Sequence, residues 1–296
     1  MILKEYRKKF IKTLTDLYPK TEIDSFFFLL IKEYLDFNRV DIVLKSDIKI
    51  SKEKLDQLEN ATKRIQQEEP IQYILGKTEF YGLPFLVNKN VLIPRPETEE
   101  LVECVILEVS KFKSLNKKNS INQNSESKQL TILDIGTGSG CIPITLKKLL
   151  PTIEITAIDI SKEALIMANK NALLNKVDID FIQQDILNID KLHQQFDIIV
   201  SNPPYVRELE KKKLKNNVLE NEPPLALFVK DNNPLVFYDK IADLAKNKLH
   251  KNGVLIFEIN QYLGKETVVL LSTKGFRNIQ LKKDMFGNDR IIRAYR

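Results

Sequence analysis

The sequence is poor in cysteine and has no long apolar run. Only Cys104 and Cys141 occur in the 296 residues, too few for a disulfide framework, so a reducing compartment is expected. The longest apolar run, residues 26–31, falls far short of the ~20 residues that a membrane-spanning helix needs. The first residues also lack the apolar segment and cleavage site of a secretory signal. These absences exclude disulfide-rich secreted and integral-membrane classes and predict a cytoplasmic protein.

Histidine and net charge are also low. The 2 histidines have no partner at a ligand spacing, so no metal site is expected. The 46 basic residues are largely offset by 40 acidic ones, which leaves a net charge of +6 with both signs interspersed. A solvated, lysine-rich surface explains this balance better than a nucleic-acid footprint does.

Residues 1–75 contain no glycine and show two apolar stripes at helical spacing. The stripes consist of Phe27, Leu30, Ile31, Tyr34 and Leu35 in the first, and Leu55, Leu58, Ala61 and Ile65 in the second. Such stripes are more typical of packing faces than of ligand sites. The sequence therefore predicts a small N-terminal helical domain without a phosphate loop.

Residues 76–96 have the texture of strands and turns. The Asn88-Lys-Asn90 break between short β-rich runs predicts a hairpin turn, and the prolines that flank Arg95 exclude that residue from a regular ladder. We expect this hairpin to link the helical domain to a domain that covers residues 97–296. That domain begins with a helix to about residue 112, and residues 111–129, rich in Lys, Asn and Ser, predict a polar loop.

Beyond residue 130, apolar strand-like runs alternate with helical stretches. This alternation is typical of an α/β fold whose mostly parallel sheet carries helices on both faces. The last two runs, near residues 279–282 and 291–294, predict a hairpin that places an antiparallel strand at the sheet edge. The sequence thus predicts a Rossmann-like sheet preceded by a small helical domain.

A glycine-rich turn, DIGTGSG, occupies residues 134–140 between an apolar strand and a helix. Its G-x-G-x-G spacing matches neither the dinucleotide fingerprint nor the phosphate loop. Glycines let a ligand approach the backbone closely, and the following helix N-terminus offers free N–H groups. The residues predicted to contact or orient a cofactor here are Asp134, Gly136, Thr137, Gly138, Ser139 and Gly140.

Acidic residues follow the next two strands. Asp159 ends one strand, where a carboxylate can accept both hydroxyls of a ribose. Asp185 follows the other, where it can accept from an adenine amino group while Ile186 packs on the ring. Because the carboxyl ends of parallel strands bind ligands, these residues and the glycine turn predict S-adenosylmethionine as cofactor and S-adenosylhomocysteine as product.

The tetrapeptide NPPY, residues 202–205, follows the apolar strand at residues 196–200. The side-chain oxygen of Asn202 and the carbonyl of Pro203 can accept both N–H groups of a planar nitrogen, and Pro204 keeps the backbone extended and rigid. Tyr205 can stack on a flat acceptor. The pattern predicts methyl transfer to an amino or amide nitrogen, with Asn202 beside the cofactor as well. It leaves open DNA adenine, ribosomal RNA guanine, a glutamine side chain, and a binding module that has lost activity.

Further motifs narrow this choice through a resemblance. The motifs are PIQYILG at residues 70–76, FYG at 80–82, VLIPRPETE at 91–99, the glycine turn, SNPPY at 201–205, EPPLAL at 222–227 and DMFGNDR at 284–290. Together they resemble the release factor glutamine-N5 methyltransferases, the HemK/PrmC family, over nearly the whole chain. The segment IPRPETE at residues 93–99, before the methyltransferase domain, is much more specific than the acceptor tetrapeptide alone.

The resemblance implies a substrate and further roles. The substrate is the glutamine of the Gly-Gly-Gln motif in class 1 peptide chain release factors, whose amide residues 202–205 would hold. Arg95 and Glu97 would line or brace the site, and residues 1–75 would recognise the substrate. The expected protein is a cytoplasmic monomer that requires neither a membrane nor direct nucleic-acid contact.

Overall fold

The computed structural model describes residues 1–119, 129–189, 192 and 194–296. The described chain divides into two compact units. One consists of Met1–Lys77 with Lys215–Asn221, and the other of Thr78–Leu214 with Glu222–Arg296. Within the described residues, no helix is both long enough and apolar enough to cross a membrane.

The helices and strands are numbered in chain order. The helices are α1 Leu3–Leu14, α2 Lys20–Leu35, α3 Arg39–Leu44, α4 Lys52–Gln66, α5 Ile71–Leu75, α6 Pro96–Asn119, α7 Cys141–Leu149, α8 Lys162–Asn175, α9 Asn216–Asn221, α10 Pro224–Leu227, α11 Val236–Lys248 and α12 Gly264–Thr273. The strands are β1 Lys77–Phe80, β2 Leu83–Leu86, β3 Thr131–Ile135, β4 Glu154–Asp159, β5 Asp180–Gln183, β6 Phe196–Ser201, β7 Val206–Arg207, β8 Phe228–Val229, β9 Leu249–Glu258, β10 Arg277–Lys283 and β11 Asp289–Tyr295. Short 3-10 helices cover Ile186–Asn188 and Glu208–Lys213.

The first unit is helical, as the two apolar stripes predict. The stripe residues Phe27 and Leu58 are fully buried in its core. The Tyr6 hydroxyl lies 3.1 Å from the Leu58 carbonyl and 2.9 Å from the Thr62 hydroxyl, so this buried polar group is hydrogen-bonded. The helical character predicted for this part of the chain is therefore confirmed.

The hairpin turn lies earlier than the sequence predicts. Strands β1 and β2 form a two-stranded sheet, and the turn between them is Tyr81-Gly82, with φ of 52° and 71°. Two-residue hairpins favour positive φ at both central residues, which glycine adopts without strain. The prediction that Asn88-Lys-Asn90 forms the turn is wrong, and β2 has already ended before it.

The predicted polar loop at residues 111–129 is wrong in its first part, because α6 continues to Asn119. Lys, Asn and Ser are compatible with an exposed helix, so a polar composition without periodicity does not end one. Residues 120–128 of the predicted loop lie outside the described residues.

The second unit contains a mostly parallel sheet that, within the described residues, has seven strands in the order β10-β11-β9-β6-β3-β4-β5. Strands β3, β4, β5, β6 and β9 are parallel, and β11 is antiparallel to both of its neighbours. The predicted α/β fold with an antiparallel hairpin at its edge is confirmed. Within that hairpin, β11 is the antiparallel strand and β10 is the outermost.

Alternate residues of the central strands enter two apolar cores, as the period of two in a strand requires. Ile198 and Val200 of β6 belong to the core that contains α6 and α7 residues, and Ile199 belongs to the core that contains α11 and α12 residues. The strand ends that follow these cores carry the candidate site.

Candidate active site

A cavity of about 200 Å³ opens at the carboxyl ends of β3, β4 and β6. It lies in the second unit. Several residues that the sequence predicts as cofactor or substrate contacts line it. They are Gly136, Gly138, Asp159, Asp185, Ile186, Asn202, Pro203 and Pro204.

Backbone hydrogen bonds hold the glycine turn against β4, and two of its glycines face open space. The backbone N–H groups of Gly136 and Thr137 donate to the Ile158 carbonyl at 2.9 and 3.1 Å. Gly136 and Gly138 have φ of 74° and 55°, and a Cβ built at either position meets nothing within 4 Å. A ligand can therefore lie directly against the backbone at these two glycines, which is the role that the sequence predicts for them.

Gly140 is required by packing and does not line the cavity, so its contact with a cofactor stays a prediction. Its φ is 79°, and a Cβ at this position would lie 2.9 Å from Ile144 Cδ1 and 3.1 Å from Ala168 Cβ. The glycine therefore allows α7 and α8 to approach each other closely where the turn enters α7.

We expect Gly140→Ala to lower the free energy of unfolding by about 2–4 kcal/mol, because it combines a left-handed backbone with overpacking. Gly136→Ala is the matched control and should cost only about 1–2 kcal/mol, since its Cβ enters open space. Urea unfolding of the cofactor-free protein measures both. Equal losses in the two variants would show that close packing at Gly140 is not what requires glycine there.

Asp159 braces the glycine turn and also faces the cavity. Its Oδ2 accepts from the Gly138 N–H at 2.8 Å, and its Oδ1 accepts from the Ser161 N–H at 2.9 Å. Burial raises the pKa of this carboxyl, while the backbone donors oppose that rise. An ionised carboxylate has about four acceptor positions, so Asp159 retains capacity to accept from a pair of hydroxyl groups.

Asp185 caps the 3-10 helix Ile186–Asn188. Its Oδ1 accepts from the Leu187 N–H at 2.9 Å and its Oδ2 from the Asn188 side chain at 2.6 Å. Asp185, Ile186 and Leu187 all line the cavity. The wall here combines an acceptor with apolar side chains, which suits an aromatic ring that bears an amino group.

Three further turn residues that the sequence predicts as cofactor contacts do not line the cavity. Asp134, Thr137 and Ser139 are buried, and both Asp134 carboxyl oxygens lack a hydrogen-bond partner within the described chain. Burial raises the pKa of Asp134 to about 7. The buried carboxyl thus lies behind the glycines, and its contact with a cofactor stays a prediction.

The tetrapeptide begins immediately after β6. The Ser201 hydroxyl donates to the Ile135 carbonyl at 2.7 Å and ties β6 to β3. The Asn202 side-chain N–H donates to the Thr98 hydroxyl at 3.2 Å. With Pro203 and Pro204 also in the cavity wall, the structure brings the first three residues of the tetrapeptide to the predicted cofactor contacts.

Tyr205 does not lie in that wall. Its ring packs against the apolar core on the α11 side, and its hydroxyl donates to Glu258 at 3.0 Å. Burial and the neighbouring Glu258 charge raise the pKa of the tyrosine hydroxyl. A buried carboxylate at the end of β9 thus provides a partner for Tyr205 that the local sequence does not reveal, and the stacking of Tyr205 on the acceptor stays a prediction.

Arg95 and Glu97 also lie outside the cavity wall. Arg95 forms an ion pair with Glu222, a side chain that is only 1% exposed and also accepts from the Ile93 N–H at 3.3 Å. Residues on each side of this bridge, Val91 and Leu92 before it and Pro223 after it, line the cavity. Arg95 thus braces two segments of the wall, and the motif EPPLAL was the only signal for Glu222.

S-adenosylmethionine fits this cavity by its chemistry. The cofactor carries a ribose diol, an adenine with an amino group, and a charged amino-acid part. The open backbone at Gly136 and Gly138, the acceptors Asp159 and Asp185, and the apolar Ile186 supply a complementary set. The fold and the cavity define an S-adenosylmethionine-dependent methyltransferase.

Comparison with known proteins narrows the class. Residues 5–76 match the family model of the PrmC N-terminal domain, and residues 119–223 match that of the methyltransferase small domain. A release factor glutamine methyltransferase of Flavobacterium psychrophilum is 54% identical over 99% of this chain and 99% of its own. One of Bacteroides thetaiotaomicron is 43% identical over 96% of this chain and 97% of its own. The chain belongs to the release factor glutamine methyltransferase family.

Proposed function

We propose that this protein methylates the side-chain amide nitrogen (N5) of the glutamine in the Gly-Gly-Gln motif of class 1 peptide chain release factors. The observation that carries the proposal is the position of Asn202. Its side-chain N–H is engaged by Thr98, while the residue itself lines the cavity beside the cofactor contacts. The side-chain oxygen therefore remains available as an acceptor for a substrate N–H.

The cofactor, when bound, supplies a methyl group activated by a positively charged sulfur. Gly136, Gly138, Asp159, Asp185 and Ile186 would hold it. The two glycines would contact it through the backbone, Asp159 would accept the ribose hydroxyls, and Asp185 would accept from the adenine amino group. Asp134 would orient the turn or balance the charge of the cofactor's ammonium group from behind.

The amide nitrogen of glutamine is a poor nucleophile because its lone pair is delocalised. Asn202 Oδ1 and the Pro203 carbonyl would accept its two N–H bonds, which orients the nitrogen and favours the loss of planarity needed for attack. Fixing a near-attack geometry in this way lowers the activation free energy by several kcal/mol. No strong base is required, since the nitrogen loses its proton as the C–N bond forms or afterwards.

Catalysis and recognition of the release factor would lie in different parts of the chain. Residues 97–296 would carry catalysis, residues 76–96 would link the parts, and residues 1–75 would recognise the release factor. The protein would act as a monomer in the cytoplasm, without a membrane and without direct contact to nucleic acid.

The test is transfer from labelled S-adenosylmethionine to purified release factor, DNA and ribosomal RNA in separate reactions. Label is expected in the release factor alone, and a release factor whose motif glutamine is replaced by alanine serves as the matched control. Label in nucleic acid only would contradict the proposal. Absence of transfer to every acceptor would instead indicate a binding module.

A further inference from the structure

We propose that Thr98 and Glu258 are positioning residues that orient the Asn202 amide for the acceptor. Neither side chain lines the cavity. Both are nearly inaccessible to solvent, with 3% and 1% of their surface exposed. The inference deepens the proposed function and rests on it, since it concerns how the same site presents an acceptor oxygen.

The three side chains converge because of their places in the fold. Ser201 of β6 pairs with Phe257 of β9, so Asn202 and Glu258 follow at the same level of the sheet. Residues two and four positions earlier on both strands belong to the core that contains α6 residues. The period of two places Asn202 and Glu258 on that same face, where Thr98 lies in the first turn of α6.

Hydrogen bonds connect them in one line. Asn202 Nδ2 donates to Thr98 Oγ1 at 3.2 Å, and Thr98 Oγ1 donates to Glu258 Oε2 at 2.7 Å. The other carboxyl oxygen of Glu258 accepts from the Tyr205 hydroxyl at 3.0 Å. One buried carboxyl group therefore holds both ends of the tetrapeptide.

The chemistry of the carboxylate fixes the direction of this line. An ionised carboxylate only accepts hydrogen bonds, so Thr98 must use its single hydrogen toward Glu258. Its oxygen is then free only to accept, and the group it accepts from must be the NH₂ end of the Asn202 amide. That leaves Asn202 Oδ1, an acceptor, as the end available to a substrate N–H.

A glutamine at position 258 would reverse or break this order. Its amide offers one acceptor and one donor end, whereas Thr98 and Tyr205 both donate to Glu258. If the donor end faced Thr98, the threonine hydrogen would be released toward Asn202, and the asparagine amide would turn its NH₂ toward the substrate. The NH₂ group of Asn202 would then face the N–H groups of the substrate amide, and the substrate would no longer be held.

Protonation of Glu258 would disturb the hydrogen bonds from Asn202 through Thr98 to Glu258 in the same way. Burial raises the pKa of this carboxyl; Thr98, Arg290 and Tyr205 oppose the rise, and Glu97 adds to it. Arg290 is itself paired with Asp284 at 3.1 Å. The titratable or charged side chains that face Glu258 are Glu97 from α6, Arg290 from β11, Tyr205 from the tetrapeptide, Tyr238 from α11 and Cys141 from α7. Activity should therefore fall toward acid at a higher pH than the ionisation of an ordinary glutamate would produce.

The experiment compares Thr98→Val, Thr98→Ser and Glu258→Gln in the release factor assay. Valine keeps the shape of threonine without its hydroxyl, so kcat should fall about 10- to 100-fold, as is typical when the group that orients a functional side chain is lost. Serine restores the hydroxyl and should stay within about threefold of the wild type. The kcat of Glu258→Gln should fall at least as far as that of Thr98→Val. The double variant Thr98→Val/Glu258→Gln should have a kcat no lower than that of the less active single variant, because the two residues act as one unit.

Further readouts separate positioning from a structural role. The cofactor Kd and the KM for release factor should change little, since the loss falls on kcat, and the kcat profile of Glu258→Gln should lose the contribution of Glu258 to the acid limb. Thr267→Val is the matched control, because among the described residues its buried hydroxyl donates only to the carbonyl of Leu263, the residue just before α12. If the wild type methylates release factor and Thr98→Val equals it, or if Thr98→Ser fails to rescue, this inference is overturned. If the wild type itself does not methylate release factor, the proposed function fails instead.

Discussion

Replacing Asn202 with alanine is expected to lower kcat for methyl transfer by at least about a thousandfold. The substitution removes the side-chain oxygen that would accept from the substrate amide, and orientation of this kind contributes several kcal/mol, with each 1.36 kcal/mol worth a factor of ten. The Kd for S-adenosylmethionine should stay within about threefold of the wild type. Single-turnover transfer to release factor, together with calorimetric titration of the cofactor, measures the two quantities separately.

Asn247→Ala provides the matched control. Asn247 is exposed on α11, and within the part of the chain that the structure describes its side chain bonds only to the Asp243 carbonyl in the same helix, so transfer should be unchanged. A variant at position 202 that keeps its kcat, or that loses cofactor affinity instead of kcat, would refute the role given to Asn202.

Asp159→Asn is expected to weaken cofactor binding by about a hundredfold or more. The change removes charge-assisted acceptance of the ribose hydroxyls, where each hydrogen bond to a charged group is worth about 1.5–3 kcal/mol. It also places an NH₂ group against the N–H of Gly138 or of Ser161, both of which donate to this carboxylate. At saturating cofactor, kcat should recover most of its wild-type value, because the acceptor side of the cavity is untouched.

The control for this change is Asp180→Asn, an exposed carboxylate on the neighbouring strand β5, which should leave the Kd unchanged. Isothermal titration of S-adenosylmethionine and S-adenosylhomocysteine measures both variants. Wild-type affinity in Asp159→Asn would remove Asp159 from the set of cofactor contacts.

The parts of the fold that the sequence predicts well are those governed by periodicity. The stripes around Phe27 and Leu58 and the alternating strand and helix pattern beyond residue 130 reflect burial on one face or on both. Boundaries set by turn geometry or by a helical segment of polar composition are harder to predict. The turn at Tyr81-Gly82 and the extension of α6 to Asn119 were both misplaced for this reason.

The candidate site divides in the same way. Gly136, Asp159 and Asn202 each lie in a short segment at the end of a strand. Such residues can be recognised from the sequence as site candidates, because the carboxyl ends of parallel strands meet. Glu258 was missed, since its functional neighbours Thr98 and Tyr205 lie 160 and 53 positions away in the chain. A single carboxylate at the end of an apolar strand carries no local signal of such a partnership.

The position of the transferred methyl group tests the central claim most directly. Release factor incubated with this protein and S-adenosylmethionine would be digested and fragmented by mass spectrometry, with the Asn202→Ala protein run in parallel. We predict one added methyl group, on the side-chain nitrogen of the glutamine in the Gly-Gly-Gln motif, and none with the variant. A methyl group on any other residue, or an equal yield with Asn202→Ala, would contradict the account.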